Sequence, residues 1–224
     1  MRLQQLWQAY QTMVRHLFGQ RIVFLGLQGS YARGEAAANS DLDVVLILDQ
    51  VNLTDLQLYQ KAIAALPDGA LVCGFFGGKE ELAHWSRADL FQFYYDTMPY
   101  QGNLAEIFPV PTREDAGQAV HLSACNLYHL VSHQFVHQTD LAGLQAAYKM
   151  VRFALQAKHF AETGDYLQTQ KELEEALTGL DQEIWQLAQH CRQQEILPAE
   201  RLRYTEPLLR WASGCIVAFA PKSN

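Results

Sequence analysis

The N-terminal part of the chain combines helical and strand patterns of hydrophobic positions. Apolar side chains recur at helical spacing over residues 3–18, which predicts an amphipathic first helix ending at Gly19. Two runs rich in valine, isoleucine and leucine, residues 21–28 and 42–48, predict strands of a sheet that helices cover. Helix and strand therefore alternate, which is typical of an α/β domain.

The alternation continues beyond the second strand. Thr54 is a candidate cap for the next helix, which is expected to end at Leu66. Residues 70–76 predict a third strand, and the pair Gly77-Gly78 predicts a turn after it. The aromatic run 90–95 fits a helix and a strand equally well.

The character of the sequence changes near residue 112. Pro109 and Pro111 mark a boundary, after which β-branched residues become fewer and alanine, leucine, glutamine and glutamate dominate. We therefore expect an α/β domain over residues 1–112, with a short mixed sheet and flanking helices, followed by an all-α helical bundle over residues 113–224. The expected bundle helices cover residues 116–138, 141–163, 168–177, 181–193 and 200–219.

Composition and cysteine placement narrow the class of protein. A hydrophobic content of 49% and a charged content of 18% are those of an ordinary globular protein. No apolar stretch approaches the ~18 residues that span a membrane, and the N-terminus has no signal-peptide pattern. The four cysteines are widely separated and lack metal-ligand spacing, which favours reduced thiols and a cytoplasmic location.

The net charge of −7 bears on the partners of the protein. A broad nucleic-acid-binding surface needs clustered lysine and arginine, and the chain has no such run. The acidic balance attracts a cationic small substrate weakly and otherwise aids solubility. We therefore expect no nucleic-acid partner and no membrane partner.

The candidate chemistry lies between the first two strands, where residues 29–43 read GSYARGEAAANSDLD. Asp41 and Asp43 are two residues apart at the start of a strand, so their side chains project from the same face. Two carboxylates held together suit a divalent cation with oxygen ligands. The glycine-serine turn after the first strand offers backbone N–H groups and a hydroxyl to phosphate oxygens. Together these features outline a phosphoryl-transfer site.

The Gly-Ser turn, the Ala-Arg-Gly spacer and the Ser-Asp-Leu-Asp segment resemble the signature of the DNA-polymerase-β-type nucleotidyltransferase superfamily. The resemblance is closest to its small bacterial members, which include antibiotic nucleotidyltransferases of the kanamycin nucleotidyltransferase kind. It implies magnesium ligands at Asp41 and Asp43 and a phosphate-gripping turn at Gly29 and Ser30. For Arg33 it implies binding of phosphate or orientation of an aspartate, and a surface salt bridge is the alternative.

The resemblance also implies a third acid on the next strand of the sheet, which serves as metal ligand or general base. Residues 70–76 contain no acid. Asp96, at the end of the aromatic run, is our first candidate, followed by Asp89, Glu80 and Glu81. The remaining alternative is that the chain has no third acid, which leaves catalysis itself open.

The helical half resembles the C-terminal bundle, related to the HEPN fold, of small nucleotidyltransferases. On this resemblance Lys149 and Lys171 reach the nucleotide or its acceptor, where a lysine stabilises developing negative charge. The alternative for each lysine is a solvated helix surface. Gly164 and Gly179 are candidate helix ends, and a homodimer formed through the bundle is a further implication.

Two histidine patterns also lie in the helical half. His129, His133 and His137 recur every four residues, which predicts a polar stripe on one helix face. A zinc site is the weaker interpretation, because ligands on one helix rarely supply three corners of a tetrahedron and no outside cysteine or glutamate is evident. Arg152 and His159 match the Arg–x(4–6)–His spacing of HEPN ribonucleases, which gives RNA cleavage as a minor hypothesis.

The sequence thus predicts a magnesium-dependent nucleotidyltransferase. It is expected to move a nucleoside monophosphate, AMP from ATP by family analogy, to a hydroxyl of a small antibiotic-like molecule or of a protein. The alternative is a protein of the same fold that binds a nucleotide without transferring it, as in toxin–antitoxin modules.

Overall fold

The computed structural model describes residues 2–37, 40–138 and 140–221. The chain divides into two compact units. The first contains the residues up to Ser86 together with Phe93–Val110, and the second contains Arg87–Gln92 together with the chain from Pro111 onwards. Two residues of the signature's spacer, Ala38 and Asn39, lie outside the described residues.

The first unit is built on a mixed sheet. Its strands are β1 (Ile22–Leu27), β2 (Leu42–Leu48), β3 (Val72–Gly78) and β4 (Met98–Gln101). Within the described residues the spatial order is β3-β2-β1-β4, with β1 antiparallel to β2 and β4, and β2 parallel to β3. Leu27 pairs with both Val44 and Met98, so the end of β1 and the starts of β2 and β4 meet at one end of the sheet.

Five helices accompany these strands in chain order: α1 (Arg2–Phe18), α2 (Gly29–Ala32), α3 (Leu53–Ala65), α4 (Lys79–Ala83) and α5 (Arg87–Tyr95). The apolar side of α1 is buried with one face of the sheet, as its helical spacing predicts. Tyr10 of α1 and Tyr59 of α3 join these helices through a 2.7 Å hydrogen bond between their hydroxyls. The predicted amphipathic first helix is therefore confirmed.

The opposite face of the sheet carries an aromatic cluster and Asp43. The ring of Phe75 lies 5.1 Å, between centroids, from the rings of both Trp85 and Phe93. Side chains alternate along β2, and Leu42, Val44, Leu46 and Leu48 belong to the core on the α1 side. Asp43 therefore lies on the face opposite to that core.

From Pro111 onwards the described chain is helical. The helices are α6 (Arg113–His137), α7 (Ala142–Thr163), α8 (Gln170–Ala176), α9 (Gly179–Gln193) and α10 (Arg201–Ala218). Thr112 and Thr169 begin two of them with reciprocal capping boxes, and Gly164 ends α7 with a φ of 89°. An α/β unit with a mixed sheet followed by an all-helical region confirms the predicted fold class. No helix within the described ranges has the length and apolar character needed to cross a membrane.

Several local predictions are wrong. Gly77 and Gly78 continue β3, because their backbones still pair with β2. Asn52, not Thr54, caps α3, since its side chain accepts the Asp55 N–H. Gly179 begins a helix instead of ending one.

The aromatic run 90–95, whose pattern fits a helix and a strand equally well, is helical and belongs to α5. The sequence pattern does not predict β4, because its four residues, Met98–Gln101, are all exposed and include a proline. These residues form an edge strand, which needs no alternation between buried and exposed positions.

Candidate active site

The turn after β1 brings backbone and carboxylate into close contact. The Gln28 N–H donates to the Asp43 carbonyl at 2.8 Å, and Gly29 follows with a φ of +69°. A Cβ at residue 29 would lie 1.8 Å from an Asp43 carboxylate oxygen, so only glycine fits. The predicted turn is the start of the short helix α2, and Ser30 is its second residue. The structure therefore places Gly29 and Ser30 beside Asp43.

The two signature aspartates differ in environment. Asp41 is exposed and directly precedes β2, whereas Asp43 is half-buried within it. Burial raises the pKa of Asp43, and the negative charge of Asp41 raises it further, while the nearby Arg33 charge acts in the opposite direction. Two like charges held close together favour a bound cation that neutralises both.

This pair of carboxylates fits a magnesium ion. Mg²⁺ is usually held by one or two carboxylates, with water and substrate phosphates as the other ligands. Asp41 and Asp43 supply such a pair, and the glycine beside Asp43 leaves the carboxylate open to a close neighbour. Among the described residues no three histidine, cysteine, aspartate or glutamate side chains gather to hold a metal alone. A cation at this position would need ligands beyond these side chains, such as water or a bound phosphate.

Arg33 is locked into an ion-pair network. Its guanidinium donates to both carboxylate oxygens of Asp96, at 2.8 and 3.1 Å, and to Glu35 at 3.0 Å. The side chains of Arg33 and Asp96 are each only 8% exposed. A bidentate pair this buried fixes the arginine in one geometry beside the turn. In the structure Asp96 therefore holds Arg33 in place. Its role as the third carboxylate stays a prediction.

The residue in register with Asp43 on the neighbouring strand is a cysteine. Asp43 pairs with Cys73 of β3, and the Cys73 side chain is exposed. In a sheet, paired residues share a face, so the thiol lies beside Asp43 on the strand on which the family resemblance implies an acid. The sequence shows that β3 lacks an acid. Which residue of β3 lies beside Asp43 can be known only from the pairing register of the two strands.

Two of the other acid candidates lie far from Asp43. Glu80 and Glu81 follow β3 at the end where Gly78 pairs with Leu48. Since β2 rises about 3.3 Å per residue, that end is about 16 Å from Asp43. The remaining candidate, Asp89, is an exposed residue in the first turn of α5, in the second unit.

Sequence reasoning missed Gln28. Its side-chain amide donates to the Thr97 hydroxyl at 2.7 Å and to the Phe93 carbonyl at 3.3 Å. Thr97 follows Asp96, so two consecutive residues hold the turn, one through Gln28 and one through Arg33. The only sequence signal for Gln28 is its place directly before the Gly-Ser pair.

The two lysines that the resemblance assigns to the substrates, Lys149 and Lys171, are exposed. Lys149 of α7 borders a small cavity of about 360 Å³ that Cys191 and Arg192 also line. Lys171 of α8 lies 3.7 Å from Glu175, one helical turn away, and is 82% exposed. Their predicted contacts with a nucleotide or acceptor stay predictions.

The arginine of the predicted ribonuclease pair, Arg152, is buried and holds part of its own unit together. Arg152 is 4% exposed and donates to the Gln168 carbonyl at 2.6 Å. His159, seven residues further along α7, is partly exposed. An arginine buried against its own unit is poorly placed to meet an RNA backbone, so this geometry does not favour RNA cleavage.

Comparison with known proteins finds a match to one family model and a likeness to a solved structure. Residues 9–81 match the family model described as nucleotidyltransferase domain, and this range contains Gly29, Ser30, Asp41 and Asp43. The sequence matches none of the curated proteins compared with it.

One similar solved structure is that of spectinomycin adenyltransferase AAD(9) from Enterococcus faecialis, determined with ATP and spectinomycin. The TM-score is 0.62 at 12% sequence identity, over 95% of this chain and 98% of that one. At this identity the likeness shows a shared fold that extends over both parts of the chain.

Proposed function

We propose, from the match of residues 9–81 to a nucleotidyltransferase domain, that the protein transfers a nucleoside monophosphate from a nucleoside triphosphate to a hydroxyl group. The observation that carries the proposal is the contact of Gly29 with Asp43. It sets a phosphate-binding turn directly against a metal-binding carboxylate. Nucleotide phosphates and their cation need these two features side by side.

In this proposal each site residue has a separate role. Asp41 and Asp43 hold Mg²⁺, Gly29 and Ser30 bind phosphate oxygens of the nucleotide, and Arg33 keeps the turn in place. When bound, Mg²⁺ neutralises charge on the phosphate oxygens and favours ionisation of the attacking hydroxyl.

The reaction is an in-line displacement. The acceptor oxygen bonds to the α-phosphorus, and the bond from that phosphorus to the oxygen bridging to the β-phosphate breaks. Pyrophosphate leaves with the electron pair, and the hydroxyl proton passes to a base, for which Asp96 is our candidate.

ATP is the proposed donor, and a small hydroxylated antibiotic-like molecule is the proposed acceptor, with a protein hydroxyl as the alternative. The structural likeness to an adenyltransferase solved with ATP and spectinomycin supports both choices. The proposal includes a domain division at residues 1–112 and 113–224, with a HEPN-like bundle whose Lys149 and Lys171 contact the substrates. It also includes a cytoplasmic location, where the exposed thiol of Cys73 stays reduced.

The test is transfer of label from α-³²P-ATP with Mg²⁺ to a panel of aminoglycosides, spectinomycin, lincosamides and cell extract. We expect a labelled acceptor with the unaltered protein, and a loss on the order of 100-fold or more in Asp43→Asn. Asp49→Asn is the matched control, because Asp49 follows the other end of β2 and pairs with Arg21. Equal transfer by both variants would contradict the assigned site.

A second candidate function, nucleotide binding without transfer, is favoured by one observation. Cys73 stands in register with Asp43, and its strand β3 lacks the acid that the resemblance implies there. If this function is correct, the unaltered protein binds Mg-ATP but labels nothing, and Cys73→Asp gains transfer activity. Cys73→Ser, which changes the thiol without adding a charge, serves as its control.

A further inference from the structure

Helix α6 carries a stripe of three exposed histidines that the proposed reaction does not use. His129, His133 and His137 lie one turn apart and are all exposed, as the spacing predicts. The imidazole is a good ligand for zinc and for other late first-row metals. The distances between the rings decide which of the histidines act together.

The ring spacing selects one pair. A tetrahedral zinc with Zn–N bonds of about 2.0–2.1 Å places the centroids of two imidazole ligands about 5 Å apart. The rings of His133 and His137 have centroids 4.9 Å apart, and those of His129 and His133 are 6.0 Å apart. The separation of the His133 and His137 rings therefore matches that of two imidazole ligands of one ion.

The end of α6 is held firmly, although His137 is its last residue. The Arg201 guanidinium donates to the carbonyls of Gln134, Phe135 and Gln138, at 2.8–2.9 Å. The Gln134 carbonyl also accepts the Gln138 N–H, and the bonds from Arg201 tie the last turn of the helix to α10, which opposes fraying. The helical spacing of His133 and His137 is thus maintained at the helix terminus.

One chain supplies only two ligands. Zinc in a closed site takes four, and no group of three metal-binding side chains occurs among the described residues. A second copy related by a two-fold axis through the ion would contribute an identical pair. Val136, which is 70% exposed and lies between the two histidines in sequence, would be covered in the same contact.

We propose that His133 and His137 form half of a zinc site that is completed by the same two residues of a second copy of the chain, so that zinc drives dimerisation through α6. One ion serves two chains. Without zinc the apolar contact is small, and the chain stays monomeric in this region.

Sedimentation velocity with the full chain, in EDTA and with increasing Zn²⁺, tests this proposal. We expect a zinc-dependent dimer with one Zn²⁺ per two chains, and Co²⁺ should give the absorption of a tetrahedral site. His133→Asn and His137→Asn should each raise the zinc concentration for half-dimerisation on the order of tenfold or more. His16→Asn, which alters an exposed histidine of α1, should change nothing.

Three outcomes would overturn the proposal: a monomer at all zinc concentrations, a dimer that persists in EDTA, or a zinc-dependent dimer unaffected by His133→Asn and His137→Asn. Circular dichroism of each variant separates loss of the site from loss of folding. None of these outcomes bears on nucleotide transfer, because His133 and His137 have no part in the proposed reaction.

Discussion

At the scale of single residues, the site depends on Gly29, and only the three-dimensional structure shows why this position must be a glycine. The sequence marks Gly29 as part of a turn, and family resemblance assigns that turn to phosphate. The structure adds that a side chain at this position would collide with Asp43. The same residue therefore serves the backbone conformation and the packing of the carboxylate.

Gly29→Ala is predicted to abolish Mg-ATP binding and to lower the free energy of unfolding by about 2–4 kcal/mol, from a strained positive φ and a collision with Asp43. Isothermal calorimetry and urea unfolding measure the two effects. Gly34→Ala is the matched control, because Gly34 has a φ of +72° with open space around it. It should cost only about 1 kcal/mol and keep binding. Equal effects from both variants would refute the role given to the contact.

Asp96→Asn is predicted to lower the free energy of unfolding by about 2–4 kcal/mol, because it leaves buried Arg33 without its bidentate partner. Urea unfolding measures the loss. Asp68→Asn, which breaks an exposed pair with Arg2, should cost far less, because water screens an exposed ion pair. An Asp96→Asn protein of unchanged stability would contradict the structural role given to this ion pair.

At the scale of elements, hydrophobic periodicity predicts the strands β1 to β3 and the long helices, because each buries one face or stripe. It does not predict β4, whose exposed residues owe their strand conformation to pairing with β1. It also misplaces the cap of α3, since Asn52 and Thr54 are both good caps and the tertiary position of Asp55 decides between them. Registers such as Asp43 beside Cys73 depend on pairing, which no local pattern contains.

The start of α3 has a pH-dependent component. Hydrogen bonds from Arg21 hold the pKa of Asp55 below the ordinary value of an aspartate, and the Asn52 N–H acts in the same direction. The stability from this carboxylate is therefore full above that value and is lost as pH falls through the lower folded pKa. Asp55→Asn should cost about 1–2 kcal/mol at pH 7 and progressively less in acid, as measured by unfolding at several pH values.

Asp49→Asn is the control for this prediction. Asp49 pairs with the same Arg21 but is 51% exposed, so its loss should cost about 0.5 kcal/mol or less. A difference between Asp55→Asn and the unaltered protein that stays constant from pH 7 to pH 2 would rule out the carboxylate as its source.

At the scale of the whole molecule, the order of parts could be predicted from the sequence. The change in composition near residue 112 separates an α/β region from a helical one, and the fold shared with an adenyltransferase at 12% identity has the same extent. The candidate site was predictable in part: the signature identifies Gly29, Ser30, Asp41 and Asp43. The network of Arg33 with Asp96 was not, because it joins residues 63 positions apart.

The most direct test of the central claim is calorimetric titration of the protein with ATP, with Mg²⁺ and with EDTA. We predict Mg²⁺-dependent binding that Asp49→Asn keeps and Asp43→Asn loses. The folded state raises the pKa of Asp43, so ionisation of this group weakens folding as pH rises, and Asp43→Asn should unfold in EDTA at the same temperature or higher. Absence of Mg²⁺-dependent binding by the unaltered protein, or equal binding by a stably folded Asp43→Asn variant, would contradict the account.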